Sequence, residues 1–167
     1  MAGRGGIMWT LMWAHMIPKE EEYVVEMAER IAGVLGGRAV LRRTVLTWAD
    51  LERAVHAGLP KRSLQLVARR AVEAGTPLND FVYSIIPPAT FKRRSRLSID
   101  ESERTERLAR IVALAEALWD SESETRAFLN RPHPLLDGHA PLQVACTELG
   151  ARRVERLLHD VEHGLPL

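Results

Sequence analysis

Phe128-Leu-Asn-Arg-Pro-His-Pro-Leu-Leu-Asp-Gly-His-Ala-Pro-Leu142, and then Thr147-Glu-Leu-Gly-Ala-Arg-Arg-Val-Glu-Arg-Leu-Leu-His-Asp-Val-Glu-His-Gly-Leu-Pro-Leu167, packs a turn, two capped helices and an apolar tail into one stretch. Pro132 and Pro134 force extended backbone around His133, and Asp137-Gly138 supplies a turn, so residues 130–139 are predicted to form a rigid loop. Pro141 suits the first turn of a short helix. Thr147 is the predicted N-cap of a helix of about four turns, because Val154, Leu157, Leu158 and Val161 fall at i, i+3, i+4 and i+7 and make one apolar stripe. Gly164 stops that helix and Pro166 cannot continue it, so Gly164 to Leu167 are expected to project as a short apolar tail available to a partner.

Upstream, the same reading yields helices joined by short turns. Ser121 and Glu124 have capping spacing before a helix ending at Leu129, and Ser98-Ile99-Asp100-Glu101 is a capping box opening a long helix striped by Leu108, Ile111, Val112, Ala115 and Leu118. Thr47-Trp48-Ala49-Asp50 opens another through about Ala57, which Gly58 and Pro60 terminate. Leu64, Val67, Ala68 and Ala71 mark the inner face of the next, closed by Gly75. Thr76-Pro77 restarts a short helix through Phe81. After a linker from Tyr83 to Pro87, a further helix runs from Pro88 to about Arg94. That spacing suits a helix-turn-helix module with the 88–94 helix facing the groove. Lys19 to Leu35 reads as a helix with Val24, Met27, Ala28 and Ile31 on one side, ended by Gly36-Gly37. Residues 1–18 form a leader rich in Met8, Trp9, Met12, Trp13 and Met16, in which Trp9 and Trp13 share a helix face. It is either a gene-call artefact, with Met16 or Met27 as the start, or a small docking segment. No strand-like alternation, low-complexity tract or internal repeat stands out. The expectation is an all-α chain: a partly helical extension over 1–44, a helix-turn-helix and dimerisation module over 45–120, and a small helical domain over 121–167.

At 167 residues, 46% hydrophobic and 27% charged, the chain is long enough to bury a core as one domain or two small ones. A single cysteine, Cys146, rules out an intramolecular disulfide framework and fits a reducing cytosol; it is expected to be a buried structural thiol. The apolar run Ile7 to Ala14 is too short for a membrane span and lacks a signal-peptide cleavage site, so a cytoplasmic protein is expected. The net charge of +1 hides an asymmetry: residues 1–37 sum to −2, residues 38–98 to +8 and residues 99–167 to −5. A basic block between acidic flanks fits one module that meets a polyanion and another that meets a protein; a solvated helical surface is the plain alternative.

Within the basic block, Thr90-Phe91-Lys92-Arg93-Arg94-Ser95-Arg96 places four cations at the end of a short helix, where they can neutralise phosphates and Arg can reach guanine O6 and N7. Thr90, Lys92, Arg93, Arg94 and Arg96 are therefore the candidate DNA-binding residues, and Phe91 is expected in the core. His159-Asp-Val-Glu-His163 matches a zinc-ligand pattern, but a catalytic zinc takes a third protein ligand and only four residues follow. Histidines at the negative end of a helix dipole are the ordinary reading. His133 and His139 are expected to be hydrogen-bonding loop residues. No nucleophile elbow, phosphate-binding loop, dinucleotide fingerprint or cysteine pair is present, so no enzyme, metal or cofactor is expected.

The C-terminal stretch resembles the C-terminal domain of the Xre/MbcA/ParS antitoxins. The shared elements are Phe128-Leu129 before Arg131-Pro132-His133-Pro134, Pro141-Leu142 opening a helix, Thr147-Glu148-x-Gly150, Val154-x-x-Leu157-Leu158 and Glu162-His163-Gly164. The resemblance extends to Ile86-x-x-x-Thr90-x-x-Arg93-Arg94, Leu97-Ser98 and Glu101-Ser102-x-Arg104. It departs at Tyr83 to Ile86, which lacks the Gly often found before such a helix, and at Pro87-Pro88. A helix-turn-helix kept only for dimerisation therefore competes with one that binds DNA. What the resemblance implies is an Xre-like helix-turn-helix followed by a toxin-binding domain. It further implies a homodimer that neutralises a RES-domain toxin, an NAD-degrading enzyme, by blocking its cleft. The toxin-binding residues would be His163, Gly164, Leu165, Pro166 and Leu167, supported by Arg152, Arg153 and Arg156. A second implied role is repression of its own operon through an inverted-repeat operator. The rival is a stand-alone repressor without a toxin, which the Gly-Leu-Pro-Leu tail does not explain.

Overall fold

The structure, a computed structural model, describes residues 18–119 and 121–164. The Trp/Met-rich leader and the tail residues Leu165, Pro166 and Leu167 lie outside the described residues. Among the described residues ten α-helices follow one another: α1 Pro18–Val34, α2 Gly37–Leu41, α3 Trp48–His56, α4 Lys61–Ala71, α5 Leu78–Ile85, α6 Pro88–Arg93, α7 Ile99–Leu118, α8 Glu122–Asn130, α9 Pro141–Val144 and α10 Glu148–Glu162. A 3-10 turn at Pro134–Leu136 separates α8 from α9. Among the described residues the sole β-type pairing is an isolated bridge between Pro60 and Arg96.

The predicted caps set the helix starts. Thr47 Oγ1 accepts the Asp50 N–H at 3.2 Å while the Asp50 carboxylate accepts the Thr47 N–H at 3.1 Å. Ser98 and Glu101 repeat this reciprocal pair at 3.2 and 2.7 Å. Ser121 caps α8 and Thr147 caps α10 through single side-chain bonds. Each cap satisfies a backbone donor that the first turn leaves without a partner, worth about 1 kcal/mol.

α7 is the spine, with α1, α3, α4, α8 and α10 packed around it. Leu108, Ile111, Val112 and Ala115 are buried as the stripe predicts, but so are Ala109 and Ala113, which let further helices approach a second side. One apolar cluster runs without a break from Met27 on α1 to Leu158 on α10. The first and last described helices, α1 and α10, thus both pack on α7.

Three local features differ from the sequence reading. α5 does not stop at Phe81 but continues to Ile85, burying Val82 and Ile85. It ends because Ile86 precedes Pro87 and is driven to extended backbone, φ −135° and ψ 128°. Gly36 ends α1 as expected, but a further short helix, α2, which the sequence reading does not include, begins at once. Cys146 is exposed rather than buried, because α9 ends at Val144 and leaves it in the following turn. Its thiol leans back on the Leu142 carbonyl at 3.5 Å, and partial burial pushes it above the ordinary thiol range.

Ser102 is fully buried on α7, and its hydroxyl accepts the Leu59 N–H at 2.8 Å across 43 residues of sequence. Gly58, at φ +76°, makes that approach possible: a Cβ there would lie 2.6 Å from the Leu97 carbonyl oxygen. Ser102→Ala leaves the buried Leu59 N–H without a partner. The expected loss of stability is about 1–3 kcal/mol in urea unfolding. A change below about 0.5 kcal/mol, the range of ordinary surface substitutions, would show that the bond contributes little.

Candidate functional site

Two exposed surfaces emerge. The first is built on α6. Pro88 occupies its first turn, where a missing N–H costs nothing, and the ring fixes φ for a helical start. Phe91 anchors it: half-buried, it meets Tyr83 edge-on at 6.3 Å between ring centroids. Lys61 lies over the Phe91 ring, 5.1 Å from its centroid, and its ammonium donates to the Phe91 carbonyl at 3.1 Å. The chain leaving α6 is then pinned by two backbone bonds, Lys61 N–H to the Ser95 carbonyl at 3.1 Å and Leu97 N–H to the Leu59 carbonyl at 2.8 Å.

On this frame Lys92, Arg93, Arg94 and Arg96 are exposed and Thr90 is half-buried. Their surroundings differ. Arg94 stands 3.8 Å from Glu101, so part of its charge is answered within the chain. Arg96 turns back, donating to the carbonyls of Gly58 and Ala57 at the end of α3. Lys92 and Arg93 have no carboxylate within 4 Å among the described residues, and they are the most available of the five to a polyanion.

The second surface is the outer face of α10. Leu149, Arg152, Arg153 and Arg156 fall at i, i+3, i+4 and i+7, all exposed, opposite the buried Ala151, Val154, Leu157 and Leu158. Leu149 is 77% exposed and Leu135, at the edge of the same surface, 51%. Neither was singled out from sequence, although Leu149 sits off the apolar stripe of α10 and is visible as such on a helical projection. Arg153 bonds Asp137 at 2.7 Å and the Leu135 carbonyl at 3.3 Å, which fastens α10 to the Pro/Gly loop. Within that loop the His133 ring accepts the Leu135 N–H at 3.2 Å, the hydrogen-bonding role expected of it.

The inner side of α10 is tied to α7 by charge. Arg107 bonds Glu148 at 3.0 Å and holds that carboxyl below the ordinary glutamate range, with Arg152 adding to the effect. Arg110 reaches Glu155 at 3.2 Å and Glu106 at 3.6 Å. Burial pushes the Glu106 carboxyl upward, against the pull of Arg110 and Arg107. At the end of α10, His163 stacks on His159 with centroids 4.1 Å apart, and its Nδ1 lies 2.8 Å from the His159 carbonyl. The helix closes at Glu162, and Gly164 follows at φ +62°. Among the described residues no group of three or more His, Cys, Asp or Glu side chains could hold a metal ion, and no helix is long and apolar enough to cross a membrane.

This is an all-α protein in which a helix-turn-helix module is followed by a smaller helical C-terminal domain. Residues 50–110 match the antitoxin Xre-like helix-turn-helix domain, and residues 114–164 match the antitoxin Xre/MbcA/ParS C-terminal toxin-binding domain. The chain has the fold of the Xre/MbcA/ParS-family antitoxins, and that fold is non-catalytic. It is similar to an antitoxin Xre of Pseudomonas putida, 34% identical over 87 residues that cover 50% of this chain and 55% of that protein. The chain thus spans about half the length of that curated relative.

Proposed function

We propose that this chain is the antitoxin of a RES-domain toxin, acting as a homodimer in the cytoplasm, and that it represses its own operon by binding an inverted-repeat operator. The observation that carries the reading is the pairing of two outward surfaces on one rigid spine. Among the described residues Lys92 and Arg93 stand without a carboxylate partner, on a short, anchored helix. The Leu149, Arg152, Arg153 and Arg156 face leads directly to His163 and Gly164 at the end of α10. Arginine is enriched among the residues that carry binding energy in protein interfaces, and three arginines share this exposed face with Leu149. Those cations would meet carboxylates on the toxin surface outside the cleft, while the Gly164 to Leu167 tail would occupy the NAD cleft in the substrate's place. Binding there excludes NAD and performs no chemistry.

Co-expression with the product of the adjacent gene tests this. Rescue of growth and of cellular NAD, with a stable complex on size exclusion, is the expected result; no complex and no toxicity would leave a stand-alone repressor. Deleting Gly164 to Leu167 is expected to weaken neutralisation, read as cell survival and NAD content, while the melting temperature stays within about 2 °C, as the proposed role of the tail in partner binding alone requires. Undiminished protection by the truncated chain would exclude the tail as the blocking element.

A further inference from the structure

We propose that Arg38, Arg42 and Arg43, together with Arg62 and Arg69 on α4, form a second phosphate-contacting surface that extends DNA binding beyond the helix-turn-helix. This rests on the DNA reading above and deepens it. Between residues 37 and 70 the chain carries eight basic and two acidic side chains. Of these, Arg38, Arg42, Arg43, Arg62 and Arg69 are all exposed, and none has a carboxylate within 4 Å among the described residues. By contrast, Arg53 is spent on Asp50 and Arg70 on Glu116.

Helix geometry brings the five together. Arg62, Leu66 and Arg69 lie at i, i+4 and i+7, on one face of α4. Leu66, at the centre of that face, presses against α2: a Cβ on Gly36 would sit 2.6 Å from Leu66 Cδ1 and 2.6 Å from Val40 Cγ2. α2 is therefore seated between Arg62 and Arg69, and Arg38, Arg42 and Arg43 leave from its two ends. The same α4 meets α6 at its first turn, through Lys61 and the Phe91 carbonyl. A basic strip thus runs from Lys92 and Arg93, across the start of α4, to the end of α2.

The strip is rigid. Leu41 and Val45, on either side of Arg42 and Arg43, are buried, and Arg42 caps α2 at φ +59° with its N–H on the Arg38 carbonyl at 3.0 Å. A non-glycine residue in the left-handed region costs roughly 1 kcal/mol, and here it aims two adjacent arginines outward from a fixed turn. Arg38, Arg42 and Arg43 also lie outside the 50–110 stretch that matches the helix-turn-helix domain, so this part of the surface comes from the chain's own N-terminal region. Exposed guanidinium groups held on a preorganised turn suit the DNA backbone, whose phosphates are contacted without regard to sequence.

The test is fluorescence anisotropy of the full chain with two duplexes of equal length, one from upstream of its own coding sequence and one scrambled, across a salt series. Arg38→Gln, Arg42→Gln and Arg43→Gln combined are expected to lower the slope of log affinity against log salt by about 2 to 3, since each lost phosphate contact removes about 0.9. The variant's deficit relative to wild type should then shrink roughly 40-fold between 50 and 200 mM salt. Both duplexes should weaken alike, keeping the ratio between them. Should the triple variant fold poorly, R43Q alone is expected to lower the slope by about 0.9. A wild-type slope in the variants, or a loss confined to the operator duplex, overturns the proposal while leaving the helix-turn-helix reading in place. Wild-type protein that binds neither duplex removes both.

Discussion

Replacing Gly150 by alanine is expected to lower the melting temperature by about 4–16 °C, although only one methyl group is added. Gly150 is buried in the first turn of α10, where its N–H is held by the Thr147 cap at 3.0 Å. A Cβ there would lie 1.9 Å from the Val144 carbonyl oxygen, 2.8 Å from the Val144 carbonyl carbon and 2.8 Å from Thr147 Oγ1. Those atoms are backbone and a cap, not the free end of a flexible side chain. Relief requires moving the α9 to α10 turn, breaking the cap, or both. Overpacking of this kind costs about 1–3 kcal/mol and losing the cap about 1 more. At this size each kcal/mol shifts the midpoint by about 2–4 °C. Gly33 supplies an internal control: it lies inside α1 with nothing within 4 Å of a built Cβ. Gly33→Ala should therefore stabilise by about 0.5–1 kcal/mol, because alanine loses less backbone entropy in a helix. The same chemical change thus takes opposite signs at two helical glycines. A Gly150→Ala protein that melts with the wild type would mean that the turn yields freely.

That contrast shows what was legible before the structure. Thr147-Glu-x-Gly reads from sequence as an N-cap at a helix start, and the Gly as part of a resemblance; only the fold brings the Val144 carbonyl into the space that a Cβ at Gly150 would need. Glu101-Ser102 behaves likewise. The capping box at Ser98 and Glu101 is a local pattern and was readable, whereas the bond from Ser102 to the Leu59 N–H joins residues 43 apart and was not. Helix starts were legible because caps are encoded within four residues. Helix ends were less so: the Ile86-Pro87 restriction that ends α5 was present in the sequence, yet the prolines after Phe81 drew the boundary too early. Cys146 was misjudged because an apolar neighbourhood in sequence does not reveal that α9 has only four residues.

The candidate sites divide in the same way. Arg152, Arg153 and Arg156 fall on the outer face of α10, as the apolar stripe on the other side requires. Residue type alone, however, does not say what a cation is already bonded to. Arg153 is committed to the Pro/Gly loop and Arg96 to the end of α3, each through contacts 16 or more residues away. Leu149 was overlooked for the opposite reason: an isolated leucine among charged residues carries no pattern until the buried side of the helix is fixed.

Replacing Lys92, Arg93 and Arg94 together by alanine should abolish operator recognition while sparing toxin binding. Lys92 and Arg93 stand on α6 without carboxylate partners, on a helix held rigid by Phe91, Lys61 and the two backbone bonds that follow it. A bidentate contact to a guanine edge discriminates by about 1–3 kcal/mol, so two such readers sum to about 2–6 kcal/mol, or roughly 30-fold to 20,000-fold in affinity. Arg94 should contribute least, because Glu101 already answers part of its charge. The loss must appear as specificity: the ratio between operator and scrambled duplex falls toward one. Removing Arg38, Arg42 and Arg43 lowers both affinities and keeps the ratio. None of the three replaced side chains enters the core, and the α10 arginines stand on a different helix, so the complex with the toxin should form unchanged. Operator retardation that survives the triple change would show that α6 does not read the groove, and would return the basic block to a solvated surface.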